Sequence, residues 1–280
     1  MTRLARARFA LDALRTRIPR PETELAFGSP YELLVAVVLS AQCTDARVNT
    51  VTPALFAAYP DARALAAAEP DGVLAFVRSV SYPNNKARHL VGAARRIVEA
   101  FGGEVPGERE ALESLPGVGR KTASVILSVA FDEAALAVDT HVFRVANRIG
   151  LVPPGSSTPR KVEDALARVI APEEWGAAHH LLILHGRYTC LARAPACERC
   201  PLTAVCAYYA ALQALPPPLA GLDAKRGRYF SPSSGRYFDA PATKRDRHGV
   251  DQPADPFTGA MTVYDAKTGR SLKRVKDFRV

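Results

Sequence analysis

The chain has 280 residues, 48% of them hydrophobic and 23% charged, and a formal net charge of +9. That is enough apolar material for one large core or two smaller ones, and the positive balance favours a polyanionic partner. Nothing in the chain resembles a membrane-spanning helix, since the apolar run Leu33 to Leu39 is far too short.

Taken in order, the N-terminus carries Arg3, Arg6, Arg8, Arg15 and Arg17, with Asp12 the single acid before Glu22. This is the composition of a transit peptide. Leu4, Leu11, Leu14 and Ile18 nevertheless keep helical spacing, and the segment is read as a first helix. No secretory apolar core is present, which points to a reducing, cytoplasmic setting. There, five cysteines suit metal better than disulfides.

Tyr31 to Gln42 is almost wholly apolar and predicts a helix buried on all sides. Cys43 follows it alone and is read as a buried structural thiol, since a catalytic role needs a general base beside it. Leu90, Ala94, Ile97, Val98 and Phe101 mark another helix.

The stretch Leu115-Pro116-Gly117-Val118-Gly119-Arg120-Lys121-Thr122-Ala123 reads as helix, glycine-rich hairpin, helix. A short helix over Glu110 to Leu115 precedes the turn, and Ala123, Val125, Ile126, Val129 and Ala130 follow it as a buried helix. The glycines let the backbone approach a ligand, and the amides of Val118 to Lys121 would open the second helix as a phosphate site. Lys121 then lies in its first turn. An ordinary helical hairpin with a surface lysine is the plainer alternative.

Thr158-Pro159 predicts a helix start, with Val162, Ala165, Leu166, Val169 and Ile170 as the apolar face. Glu173 to His185 repeats the pattern and stops at Gly186. No run of alternating strand residues occurs before about residue 210, so the body is expected to be all-α.

Cys190, Cys197, Cys200 and Cys206 are separated by six, two and five residues. Four thiolates this close can surround one tetrahedral centre, and zinc or a [4Fe–4S] cluster would accept them. Zinc ribbons show two close pairs, and here Cys197 and Cys200 make the one CxxC, which tilts against zinc. Arg187, Arg193 and Arg199 beside the loop suit a basic face for phosphates, or a solvated surface.

Leu215-Pro216-Pro217-Pro218 is a stiff break. From Gly221 onward there are 5 Lys and 8 Arg against 7 Asp, a net of +6. Gly227-Arg228-Tyr229-Phe230 returns as Gly235-Arg236-Tyr237-Phe238. Basic residues among aromatics can hold nucleic acid, and a disordered basic tail has the same composition. Met261 to Tyr264 and Ser271 to Val275 could form one small hairpin around Lys267-Thr268-Gly269.

Three segments together resemble the endonuclease III family of helix-hairpin-helix DNA glycosylases. They are Leu115 to Ala123, Ala137-Val138-Asp139-Thr140-His141-Val142-Phe143-Arg144-Val145-Ala146-Asn147-Arg148, and His185-Gly186-Arg187-Tyr188-Thr189-Cys190 with its cysteine loop. Leu39-Ser40-Ala41-Gln42 matches a further family segment, and the likeness covers about residues 1 to 212. The resemblance implies an all-α, two-lobed fold with DNA between the lobes. One lobe is a six-helix domain over 23–134, the other is built from 1–22 and 135–212, and 213–280 is a basic, largely irregular tail.

The resemblance also implies function. Such an enzyme acts as a monomer on duplex DNA, removes oxidised pyrimidines and nicks the abasic site. Lys121 and Asp139 match the catalytic pair, and Cys190, Cys197, Cys200 and Cys206 match the ligands of a [4Fe–4S] cluster. Gly117, Val118, Gly119 and Arg120 in the hairpin, with His141, Arg144 and Arg187, would touch DNA. A base displaced from the stack leaves a gap. Gln42 would fill one side of it and Tyr82 the other, where the family commonly carries leucine.

Two rivals are weighed. The adenine-mismatch glycosylases of the same superfamily commonly replace the lysine and place a glutamate in the helix matching Leu33 to Leu39. Here Lys121 is present and no carboxylate lies between Leu33 and Gln42. A non-catalytic DNA-binding module leaves Lys121 and Asp139 without a purpose.

Overall fold

The computed structural model describes residues 1–193 and 195–214 and six strand segments beyond them. Among the described residues up to 214 every regular element is helical. The first helix, α1 (Arg3–Arg17), is capped by Thr2, whose side chain accepts the Ala5 amide. Ala7, Ala10, Leu11 and Leu14 form its buried stripe. Leu4 is 46% exposed and stands off the expected face, which small alanines fill instead.

The chain divides into two compact units. One comprises Arg20–Asp139 and Ile170–His180. Its centre is α2 (Pro30–Ser40), in which Tyr31 and Leu33 through Leu39 are all buried. Ser29 caps this helix by accepting the Glu32 amide, and the Glu32 carboxylate accepts the Gly28 amide in return. Against it pack α3 (Asp45–Ala58), α6 (Pro83–Phe101) and α8 (Arg120–Ala130), and through these α4 (Ala62–Ala66), α5 (Pro70–Val77) and α7 (Arg109–Glu113). The amphipathic α6 buries Ala87, Leu90, Val91, Ala94 and Ile97.

This unit extends past the expected span of 23–134, taking in 135–139 and 170–180. The reason is local packing. Gly176 lies so close to α8 that a Cβ there would meet Ser128 Oγ at 2.7 Å. His179 is bonded to the backbone of Ala137.

The other unit comprises Met1–Pro19, Thr140–Val169 and Leu181–Val280. Within it, α9 (Thr140–Ile149) packs against α10 (Pro159–Leu166), which Thr158 caps by accepting the Lys161 amide. The helix expected to stop at Gly186 is α11 (Trp175–Tyr188), which runs on to Tyr188. Gly186 is used for close packing rather than as a terminator: a Cβ there would meet His141 Cβ at 3.0 Å. The last helix, α12 (Ala207–Ala214), also packs on α9 and begins after Cys206.

Beyond it, β1 (Arg228–Ser231), β2 (Arg236–Asp239), β5 (Met261–Tyr264) and β6 (Ser271–Val275) form an antiparallel sheet in the order β1-β2-β5-β6. The echoed sequences pair with each other, Tyr229 opposite Phe238 and Phe230 opposite Tyr237. Two short strands, β3 (Lys244–Arg245) and β4 (Asp251–Gln252), pair separately. The proline break at 215–218 lies outside the described residues.

Candidate active site

The hairpin between α7 and α8 is anchored by Leu112, Leu115 and Val118, all buried. Gly117 has φ +81, and a Cβ there would come within 2.8 Å of His89 Cβ on α6. Glycine is therefore required twice, by conformation and by space. The Val118 amide donates to the Leu115 carbonyl at 3.0 Å. It is committed to the turn, which corrects the expectation that it opens towards a ligand. Gly119 is the N-cap of α8, extended at φ -101 and ψ 177, with open space where a Cβ would stand. The amides that follow belong to the first helical turn, the natural seat of an anion. Arg120 and Lys121 are the first residues of α8, and both side chains are exposed.

Asp139 closes the buried run Ala135 to Val138 and immediately precedes α9. The run is fixed by His179, whose Nδ1–H donates to the Ala137 carbonyl at 2.8 Å. With its proton on Nδ1, the imidazole has Nε2 left as an acceptor. Burial holds this histidine down at about 3, with His180 and Lys121 pushing the same way and Asp139 and the Ala137 carbonyl opposing. The buried, neutral imidazole thus fixes the chain two residues ahead of Asp139. His180 packs edge-on against it, ring centroids 5.0 Å apart. Neither histidine stood out in the sequence; the signal was two consecutive histidines entering the apolar run Leu181-Leu182-Ile183.

Gln42 and Tyr82 are also brought together through the backbone. Both are left-handed, at φ 53 and φ 55, and Ser81 Oγ donates to the Gln42 carbonyl at 2.6 Å. Gln42 lies just past the end of α2, and Tyr82, 63% exposed, is the N-cap of α6. A groove of about 660 Å³ is lined by Glu22, Asp132, Glu133, Glu173 and His180, but not by Gln42, Tyr82, Lys121 or Asp139. Its acidic wall does not suit a phosphate backbone.

In the other unit, the Arg144 guanidinium donates to the carbonyls of Gly186 at 2.9 Å and Cys190 at 3.2 Å, and to His141 Nδ1 at 3.2 Å. These bonds tie α9 to the end of α11, a structural use of two residues expected to touch DNA. Arg187 is half-buried in the last turn of α11. Arg148, 2% exposed, donates to the carbonyls of Leu191 at 2.6 Å and Ala192 at 2.9 Å. It also lies over the Tyr208 ring and approaches Cys190 Sγ at 3.6 Å.

The four late cysteines are all partly exposed. Burial pushes Cys197 and Cys206 up and Cys200 to about 11, and neighbouring thiols add to each. A cationic centre would relieve that crowding. Among the described residues no three such side chains converge on a single ion. A four-iron cube takes one cysteine on each iron and needs no such convergence.

Residues 35–172 match the family profile described as HhH-GPD superfamily base excision DNA repair protein. The chain is 44% identical to endonuclease III of Bacillus subtilis (strain 168) over 206 residues, covering 74% of this chain and 94% of the relative. Against endonuclease III of Escherichia coli (strain K12) it is 45% identical over 198 residues, 71% of this chain and 93% of that one. The chain belongs to the endonuclease III family.

A solved endonuclease III, trapped as a covalent intermediate with DNA, superposes with a TM-score of 0.72 at 41% identity, covering 76% of this chain and 100% of that one. A thermostable thymine-DNA glycosylase, 21% identical, shares the fold with a TM-score of 0.68, over 74% of this chain and 98% of its own. As an endonuclease III family member the protein is a base-excision DNA glycosylase and abasic-site lyase. The adenine-mismatch and non-catalytic alternatives give way to it. No described helix is long and apolar enough to cross a membrane.

Proposed function

We propose that Lys121 is the nucleophile and Asp139 its acid–base partner, acting as a monomer on oxidised pyrimidines and abasic sites in duplex DNA. The observation that carries this is the likeness to an endonuclease III trapped as a covalent intermediate with DNA, 41% identical over the whole of that chain, together with the place of Lys121 in the first turn of α8. Lys121 is exposed, so drying of its amine waits for DNA. The neutral amine attacks the anomeric carbon, and the bond to the base breaks, the departing base taking up the proton that Asp139 relays from the amine. Opening of the sugar gives an imine, and loss of the 2′ proton expels the 3′ phosphate by β-elimination. Asp139 accepts the proton shed by the amine and stabilises the cationic sugar. The hairpin from Gly117 to Lys121 holds the backbone beside the lesion, and Gln42 with Tyr82 fills the gap left by the displaced nucleotide.

Borohydride trapping on abasic DNA tests this reading. The native protein is expected to form a covalent adduct and Lys121→Gln none; equal trapping by both defeats the assignment.

The donor set and spacing support a [4Fe–4S] cluster on Cys190, Cys197, Cys200 and Cys206. When bound it supplies four iron–thiolate bonds that close the loop. Arg148 holds the loop carbonyls, and Arg199 ties the loop to Tyr188 and Arg17 through backbone carbonyls. Stoichiometric zinc without iron would overturn this part.

A further inference from the structure

Lys86 has no place in the catalytic reading, yet it is one of the few buried charged residues, at 5% exposed. Its ammonium donates to the carbonyls of Leu39 and Ala41, each at 2.7 Å. Both belong to the C-terminal end of α2, where carbonyls lack helical partners and the dipole favours a cation. Ala41 immediately precedes Gln42. The amide of the same lysine donates to the Tyr82 carbonyl at 3.1 Å in the first turn of α6. Ser81 closes the circuit by bonding the Gln42 carbonyl.

The conformations held here are costly ones. Gln42 and Tyr82 are both left-handed without being glycine, and Tyr82 also precedes Pro83, which disfavours helical backbone at the residue before it. Such conformations persist where the surroundings over-determine them, and they gather at functional sites. Burial lowers the Lys86 pKa, with the Cys43 thiol opposing.

We infer that Lys86 is a positioning residue that clamps the end of α2 to the start of α6 and so presets Gln42 and Tyr82 as one gap-filling unit. This rests on the reading of those two residues as gap fillers. Preorganisation removes the ordering cost at the moment of insertion. The gain is therefore specific to DNA that has a gap to fill.

The test is affinity for a duplex bearing a tetrahydrofuran abasic analogue, compared with the undamaged duplex. The Gln42→Ala/Tyr82→Ala double variant is expected to lose about tenfold on the analogue, about 1.4 kcal/mol, and little on undamaged DNA. Lys86→Met is expected to match that loss, and Ser81→Ala to show a smaller one in the same direction. Neither should weaken binding further in the double-variant background, because interacting residues are not additive.

If the double variant keeps its preference for the analogue, the gap-filling reading itself fails. If it loses that preference while Lys86→Met and Ser81→Ala keep it, or if Lys86→Met still weakens binding in the double background, the clamp is overturned. Should Lys86→Met not fold, Ser81→Ala and its combination with the double variant decide the matter alone.

Discussion

His179 donates its Nδ1–H to the carbonyl of Ala137 at 2.8 Å, two residues ahead of Asp139. The bond fixes the buried run that ends at Asp139, and it does so with a ring that resists charging. The usual histidine value is 6.5, and burial, His180 and Lys121 hold this one down at about 3. As pH falls, the unfolded chain takes up the proton first. Stability is thus fullest above 6.5 and declines towards 3, with a slope approaching about one proton. Urea denaturation between about pH 7.5 and 4.5 should show this slope reduced in His179→Asn, which has no group to titrate. Identical slopes would refute it.

Gly117 and Gly119 should separate under substitution. Gly117→Ala forces a left-handed alanine, at about 1–2 kcal/mol, and drives its Cβ into His89. Gly119 is extended with nothing nearby, so Gly119→Ala costs about 1 kcal/mol or less, as a poorer N-cap. Thermal melts should rank Gly117→Ala as the less stable. DNA affinity, measured where both are folded, should fall more in Gly119→Ala, whose new methyl enters the open space at the N-terminus of α8. The reverse order of affinities would remove Gly119 from the interface.

Arg148→Met should lower the iron content per chain. The guanidinium makes two hydrogen bonds to carbonyls following Cys190, and bonds to a charged group are worth about 1.5–3 kcal/mol each. Arg148→Lys keeps the charge but not the fork and should fall between. Iron and acid-labile sulfide analysis reads this out, and full iron in Arg148→Met would show the bonds to be dispensable.

Removal of the residues after Ala214 should flatten the salt dependence of DNA binding. The segment from Gly221 carries a net +6, and each phosphate contact contributes about −0.9 to the slope of log K against log salt. An unchanged slope would show that the tail makes no phosphate contacts.

The hairpin was legible because glycine and proline encode backbone geometry directly: Gly117 needs its left-handed angle whatever surrounds it. Thr158 and Pro159 announced α10 for the same local reason. What stayed hidden was tertiary. A lysine near a helix start reads as solvated, and only the meeting of α2 with α6 reveals Lys86 as a clamp. His179 reads as part of an amphipathic helix until Ala137 is placed beside it. The Val118 amide looked available because a sequence does not show that its own turn consumes it.

Gly186 misled in the opposite direction, since the residue that commonly ends a helix continues this one. Its missing side chain lets α11 rest on His141 and Val145, while its carbonyl receives Arg144. Arg144 also holds the carbonyl of Cys190. The first thiol of the loop is therefore indexed to α9 by a residue that contributes no side-chain atoms. A change as small as one methyl at position 186 would shift that gauge and displace Cys190 along with it.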